Sequence, residues 1–269
     1  MKYLIACDLD GSLLDRKGEI SKLSKEVLTK LKNQGHTIVI ATGRPFNGAI
    51  GKYRELELDT ALITDNGGSI ENPMDSSFAK QKTFIPKEMM HKLFSYSKSF
   101  IVSSFFSVDE VVYAYQYEKK LEEYFSGMHS KNVIESDFTT LDIEPTGLVF
   151  LIDEKYQKQF ETFIDDNFGH TLSYRLWGTD TQYAIYEVYL KHISKSSALK
   201  YLIDHYEIDP QYWIAFGDGI NDVEMIRDAT HGVAMKNAVE EVLKVGNDVT
   251  EFTHDEDGIA KYLIKFFNL

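Results

Sequence analysis

The chain has 269 residues, enough for one large domain or two modest ones. Its hydrophobic content of 43% is ordinary for a globular protein and excludes wholesale disorder. Its net charge of −13, from 29 basic and 42 acidic side chains, argues against a nucleic-acid partner or an anionic membrane, either of which needs a dense basic surface. One local cationic pocket would still suffice for a small phosphorylated ligand. The single cysteine cannot form an internal disulfide and fits a reducing, cytoplasmic setting. Met1-Lys2 leads straight into a short strand rather than a signal-like stretch. No apolar run approaches the ~20 residues needed to span a bilayer.

In chain order, Tyr3-Leu4-Ile5-Ala6 reads as a buried strand, with Cys7 as a small buried residue at its end. It stops at Asp8-Leu9-Asp10-Gly11, two carboxylates one residue apart and then a glycine. Apolar residues at helical spacing run from Ser21 through Leu31, with Ser21 and Ser24 as competing caps and Gly35 past the end. His36 to Ala41 predicts a second buried strand, ending at Thr42-Gly43-Arg44-Pro45, where Pro45 suits the first turn of another helix. Ala61 to Thr64 predicts a third strand, running into Asp65-Asn66-Gly67-Gly68. Strands ending in polar, glycine-bearing turns with helices between them indicate a parallel, doubly wound α/β sheet.

The middle of the chain is richer in aromatic and β-forming stretches: Phe100 to Phe106, Val111 to Tyr115, Gly147 to Ile152, Thr171 to Leu176 and Gln182 to Val188. Helices are expected at Pro86 to Ser97, Glu118 to Phe125 and Glu154 to Asn167. After Lys191 the α/β rhythm returns. A helix is predicted from Ser194 to His205, and a strand from Tyr212 to Phe216 ends at Gly217-Asp218-Gly219-Ile220-Asn221-Asp222. A strand from His231 to Met235 and a last helix to Phe267 follow. The expectation is a Rossmann-like α/β core of residues 1–83 and 189–269, with an α+β domain of residues 84–188 inserted in it.

Four polar clusters then fall where strands of one sheet end: Asp8 with Asp10, Thr42-Gly43, Lys195, and Asp218 with Asn221 and Asp222. In an open α/β sheet, ligands gather beyond the carboxyl ends of the strands. Two acids there can divide labour between nucleophilic attack and proton transfer, and together they attract a hard divalent cation such as Mg²⁺. A hydroxyl, backbone amides and an ammonium can hold phosphoryl oxygens. For Asp-x-Asp-Gly in isolation a turn is the commoner explanation. The scattered histidines form no zinc pattern, and no dinucleotide or Walker fingerprint is present.

This ordered set resembles the haloacid dehalogenase superfamily of phosphotransferases, and within it the Cof-like sugar-phosphatase branch, whose large α+β cap sits between the second and third motifs. Asp8-Leu9-Asp10-Gly11-Ser12-Leu13-Leu14 is similar to the first motif, with serine where many members carry threonine. Ala41-Thr42-Gly43-Arg44 resembles the second, Lys195 the third, and Gly217 to Asp222 the fourth. Asn66-Gly67-Gly68, Val233 to Ala238 and Asp257 to Ala260 also resemble landmarks of that branch. The resemblance implies an aspartyl-phosphate mechanism. Asp8 would be the nucleophile. Asp10 would protonate the leaving alcohol and then activate water. Mg²⁺ would be held by Asp8, Asp218 and the Asp10 backbone carbonyl, with Asp222 supporting the metal shell or orienting Lys195. Thr42, Gly43, Lys195 and Asn221 would hold the phosphoryl group, and the inserted cap would select the substrate.

The third-motif lysine is usually followed by glycine, whereas Ser196 follows here, and Lys191 competes with Lys195 for the role. Arg44 could touch substrate or bond nearby carboxylates, and Lys236 could face the cleft or be surface charge. Asp255-Glu256-Asp257 reads as a solvated acidic cap on the last helix. The leading expectation is a Mg²⁺-dependent phosphatase for small phosphorylated metabolites, sugar phosphates above all. A phosphosugar mutase and a catalytically idle phosphometabolite sensor are the alternatives.

Overall fold

The computed structural model describes residues 1–108, 111–118, 132–179 and 182–269. The helix expected over Glu118 to Phe125 falls, beyond its first residue, outside the described residues. In chain order the elements begin with β1 (Leu4–Cys7), α1 (Lys22–Asn33), β2 (Thr37–Ile40), α2 (Phe46–Glu55), β3 (Leu62–Thr64), β4 (Ser69–Glu71) and β5 (Gln81–Lys82). The middle holds α3 (Lys87–Ser97), β6 (Ile101–Val108), β7 (Val111–Tyr115), β8 (Val133–Glu135), β9 (Gly147–Asp153), α4 (Gln157–Phe168), β10 (Leu172–Thr179) and β11 (Tyr183–Leu190). The last part holds α5 (Lys195–His205), β12 (Trp213–Gly217), α6 (Val223–Asp228), β13 (His231–Ala234), α7 (Glu240–Val245), β14 (Asp248–Val249) and α8 (Gly258–Phe267).

The chain divides into two compact units, one of Met1–Gly43, Ala49–Gln81 and Ser194–Leu269, the other of Arg44–Gly48 and Lys82–Ile193. The first unit is built on a parallel five-stranded sheet in the order β14-β13-β12-β1-β2. Its central strands are buried on both faces, which is why they read as unbroken apolar runs. Leu4, Ala6, Val39 and Ala215 pack on one side with Leu199 and Leu202 of α5 and Ile226 of α6. Ile5, Cys7, Ile38, Ile40, Ile214 and Phe216 point the other way and are equally inaccessible. There α8 covers them, with the Tyr262 ring edge-on to Phe216 at 5.4 Å. The parallel sheet thus places the ends of β1, β2 and β12 side by side.

β3 departs from expectation. Only one parallel bridge, Ala41 to Ile63, links it beyond β2. It pairs antiparallel with β4, in a separate sheet of order β3-β4-β5. With only a three-residue strand before Asp65 turns the chain back, β3 can pair as well with its own hairpin partner as with a core neighbour.

The second unit is a six-stranded sheet of order β10-β11-β9-β6-β7-β8, antiparallel except where β8 joins β7. Its α+β character agrees with the aromatic, β-rich sequence. Phe94 of α3 and Phe160 of α4 pack on Phe150, Ala184, Tyr186 and Val188. The opposite face gathers Phe105, Val149, Leu151 and Ile185, with Tyr183 beside them. Alternation along β11 therefore sends Tyr186 to the helices and Ile185 away from them. Among the described residues, no helix is long and apolar enough to cross a membrane.

At the amino-terminal end of β1, His36 Nδ1 accepts the Tyr3 N–H at 3.1 Å, and the His36 ring lies 4.7 Å from that of Phe267. Partial burial, and then the nearby amino terminus, hold this imidazole below its ordinary pKa of 6.5. The folded chain therefore favours neutral His36, and its contribution to stability is present above that value and lost as pH falls below it. The denaturant midpoint of the native chain should accordingly fall more steeply between about pH 7 and about pH 5 than that of His36→Gln. Parallel slopes would contradict this role.

Candidate active site

Asp8 follows β1 directly, and its N–H continues the ladder by donating to Phe216 O at 3.1 Å. The chain then makes a wide turn, closed by Leu13 N–H to Asp8 O at 3.2 Å and Leu14 N–H to Leu9 O at 2.8 Å, a five-residue spacing that recurs at functional sites. Gly11 sits in this turn at φ +75°, where a Cβ would lie 2.2 Å from Asp218 Oδ2. Only glycine meets both constraints. The turn is held from two sides: Ser12 Oγ donates to Asp218 Oδ1 at 2.8 Å, and Asn237 Nδ2 donates to Gly11 O at 2.8 Å.

Lys195 is the first residue of α5. Ser194 caps that helix in a reciprocal pair with Ser197, its Oγ accepting the Ser197 N–H at 3.1 Å while its own N–H donates to Ser197 Oγ at 2.9 Å. A lysine at a helix N-terminus opposes the helix dipole, and a fully buried lysine is rare. Both penalties are offset by Asp8 Oδ1 and Asp222 Oδ1, each 2.6 Å from Lys195 Nζ. Burial alone would lower the lysine pKa, yet Asp222 and Asp8 together carry it above the ordinary lysine range. Lys195 is therefore charged at any physiological pH. Lys191, by contrast, is exposed and bonds Gly169 O at 2.7 Å.

Asp222 uses both carboxylate oxygens. Oδ1 takes Lys195, and Oδ2 accepts the N–H groups of Asp218 and Gly219, each at 2.9 Å. It thus fixes the Gly217–Asp222 turn and the lysine together. The carboxylates of Asp8, Asp218 and Asp222 converge within 4.8 Å of one another. Burial, with further repulsion from Asp222, pushes Asp218 up to about 6 against opposition from Ser12 and Lys195. Asp8 is pushed well above the usual carboxylate range, by burial first, while Lys195 pulls it down and Asp222 and Asp218 push it further up. Three converging acids face one ammonium, which two of them bind, so the centre has excess negative potential. Its donors are all oxygen. Such a set fits a hard divalent cation like Mg²⁺.

The other predicted residues form an adjoining group. Thr42 is buried, its N–H bonding Ile63 O at 3.0 Å and its carbonyl accepting the Asn66 N–H at 3.1 Å. Asn221 Nδ2 donates to Asn66 Oδ1 at 2.8 Å, and a Cβ on Gly43 would lie 3.3 Å from Asn221 Nδ2. Asp10 is exposed, and its carboxylate is not among the three that converge. Ser12, Asn66 and Asn237 stand outside the predicted site residues, although their motifs contain them. Their roles depend on partners 155 to 226 positions away. Elsewhere, Arg44 Nη1 bonds Gly48 O at 3.0 Å, and Lys236 is exposed with its N–H on Thr250 Oγ1. The expected acidic cap on α8 is not formed: its N-cap Asp257 makes no side-chain capping bond, Glu256 bonds Thr253, and Asp255 binds the Arg16 N–H and guanidinium at 2.5 to 2.8 Å.

Residues 5–263 match the family model of haloacid dehalogenase-like hydrolases. The chain is 30% identical over 270 residues to the 5-amino-6-(5-phospho-D-ribitylamino)uracil phosphatase YitU of Bacillus subtilis, covering 99% of this chain and 98% of the relative. Among solved structures, a haloacid dehalogenase-like hydrolase from Bacteroides thetaiotaomicron superposes with a TM-score of 0.82 at 26% identity, covering 99% of this chain and 100% of the other. The sugar phosphatase BT4131, of haloacid dehalogenase subclass IIB, gives a TM-score of 0.80 at 26% identity, covering 100% and 99%.

The raised pKa of Asp218 makes its ionised form a burden on the metal-free fold. Its contribution to stability is lost as pH rises from the ordinary 3.8 through about 6. Metal-free Asp218→Asn should therefore melt a few degrees above the metal-free native chain at neutral pH. A lower melting temperature for the variant would contradict this charge balance.

Proposed function

The chain belongs to the haloacid dehalogenase-like hydrolases, and from that premise we propose that it is a Mg²⁺-dependent phosphatase that hydrolyses small phosphorylated metabolites through an aspartyl-phosphate intermediate. The observation that supports this reading is the convergence of the Asp8, Asp218 and Asp222 carboxylates within 4.8 Å of one another, with Asp8 and Asp222 both bonded to one buried ammonium, Lys195. The names of the two relatives, one acting on a phosphorylated ribityl compound and one on sugar phosphates, favour phosphate esters of sugars and related polyols as the substrate class.

In the proposed reaction Asp8 attacks phosphorus with the oxygen that Lys195 does not engage. A P–O bond forms to Asp8 and the ester P–O bond breaks, while Asp10 gives its proton to the leaving alkoxide. Asp10, now a carboxylate, takes a proton from water, which attacks phosphorus and returns Asp8 as a free carboxylate with release of phosphate. The exposure of Asp10 suits a group that must reach both an alcohol and a solvent molecule. Lys195, Thr42, the Gly43 amide and Asn221 are assigned to the phosphoryl oxygens. Asp8, Asp218 and the Asp10 carbonyl would hold Mg²⁺, which when bound offsets the repulsion between carboxylate and phosphate. Asp222 holds Lys195 and the 218–219 amides, and its Oδ1, which takes only the lysine, keeps a lone pair with which it would support the cation. Selection of the organic group is assigned to the second unit, since the residues gathered in the first handle only a phosphoryl group. Cytoplasmic residence is proposed with this activity.

Phosphate release from para-nitrophenyl phosphate and a panel of sugar phosphates tests the reading. Release should require Mg²⁺ and stop with EDTA. Asp8→Asn should lose about 10³-fold or more of kcat while keeping its fold. Full activity in that variant would overturn the mechanism. Release that depends on a bisphosphate activator would move the assignment to a mutase.

A further inference from the structure

The turn after β3 has no part in the chemistry above, yet it is built at a cost. Asp65, Asn66 and Gly67 occupy three successive left-handed positions, at φ 51°, 54° and 100°. Asn and Asp are the side-chain-bearing residues that tolerate this region, and such strain persists only where the surroundings over-determine it. Asn66 is 3% exposed. Its N–H holds the Thr42 carbonyl, at 3.1 Å. Its Oδ1 holds Asn221, at 2.8 Å. The next residue, Gly67, approaches α5 so closely that a Cβ would lie 2.3 Å from Ser194 O, the carbonyl just before Lys195. Asn66 therefore sits where the second, third and fourth motifs meet.

A turn needing only a left-handed backbone would be met by glycine at this position as well. What asparagine adds is an acceptor aimed at the Asn221 amide. That matters because an amide has two unlike ends. Its NH₂ attracts a phosphoryl oxygen, and its carbonyl repels one. With Nδ2 held by Asn66 Oδ1 and lying beside Gly43, the second Asn221 N–H remains for an anion. Without that anchor, a half-turn of the amide would set an oxygen against the phosphoryl group.

We infer that Asn66 is a positioning residue of the phosphoryl site, acting through Asn221 and Thr42 rather than by contact with the reacting atoms. This rests on the phosphatase reading and adds a residue to it. The test compares Asn66→Gly, which keeps the left-handed turn and removes the acceptor, with Asn221→Ala and the double variant. Inhibition by inorganic phosphate, kcat/KM, half-activation by Mg²⁺ and thermal melting are measured on each.

Asn66→Gly should weaken phosphate inhibition and lower kcat/KM by about tenfold to a hundredfold, with Mg²⁺ half-activation unchanged. The double variant should be no worse than Asn221→Ala alone, because both substitutions remove one function. Wild-type phosphate inhibition in Asn66→Gly, or losses that multiply in the double variant, would overturn the inference and leave the phosphatase reading standing. A fall in melting temperature with unchanged inhibition of the folded fraction would mark the residue as structural only and also overturn it. A native chain without turnover on any phosphomonoester would overturn the reading itself, and the inference with it.

Discussion

A fully buried ammonium between two carboxylates is the constraint around which the first unit is arranged. Lys195 Nζ lies 2.6 Å from Asp8 and 2.6 Å from Asp222, and none of the three is open to solvent by more than a few per cent. Removing one partner of a buried pair costs about 3–5 kcal/mol, because the other charge is left uncompensated. That penalty makes the start of α5, the end of β1 and the turn after β12 positions of one another. The parallel sheet brings the two strand ends together, and Ser194 brings the lysine, by starting the helix one residue before it.

The same charge count explains why the centre suits a cation. One ammonium cannot neutralise three converging carboxylates, so Asp8 and Asp218 are both held above their ordinary pKa values, chiefly by burial. A divalent cation bound among these oxygens would lower both, because it favours the ionised carboxylates. The convergence of like charges is thus a burden on the fold that a bound cation would relieve. Asp222 differs from the other two in its bonds to Lys195 and to two backbone amides, which tie the turn after β12 to the start of α5.

Much of this was legible in the sequence because it is written in local pattern. Unbroken apolar runs marked β1, β2 and β12 as doubly buried strands. Each ended at a polar cluster, so the parallel sheet located Asp8, Thr42 and Asp218 at once. Lys195 was legible from its place at a helix start, though only burial separates it from Lys191. Illegible features were those set by distant partners. Nothing near Asn66 points to Asn221, and nothing near Asp255 points to Arg16. That Asp222 bonds Lys195 with one oxygen and the 218–219 amides with the other is a matter of geometry alone. β3 misled because a three-residue strand has too little period to say which sheet it will join, and the brief β8 carried too little signal to be seen at all.

The central claim is that Asp8 takes the phosphoryl group. Acid-quenched enzyme, sampled during turnover of a phosphate monoester with Mg²⁺ and mapped by peptide mass spectrometry, tests it most directly. A mass gain of one phosphoryl group is expected on the peptide carrying Asp8, labile to hydroxylamine as an acyl phosphate is. A phosphoryl group trapped on another residue, or rapid turnover with none ever trapped under conditions where the chemical step is followed, would contradict it.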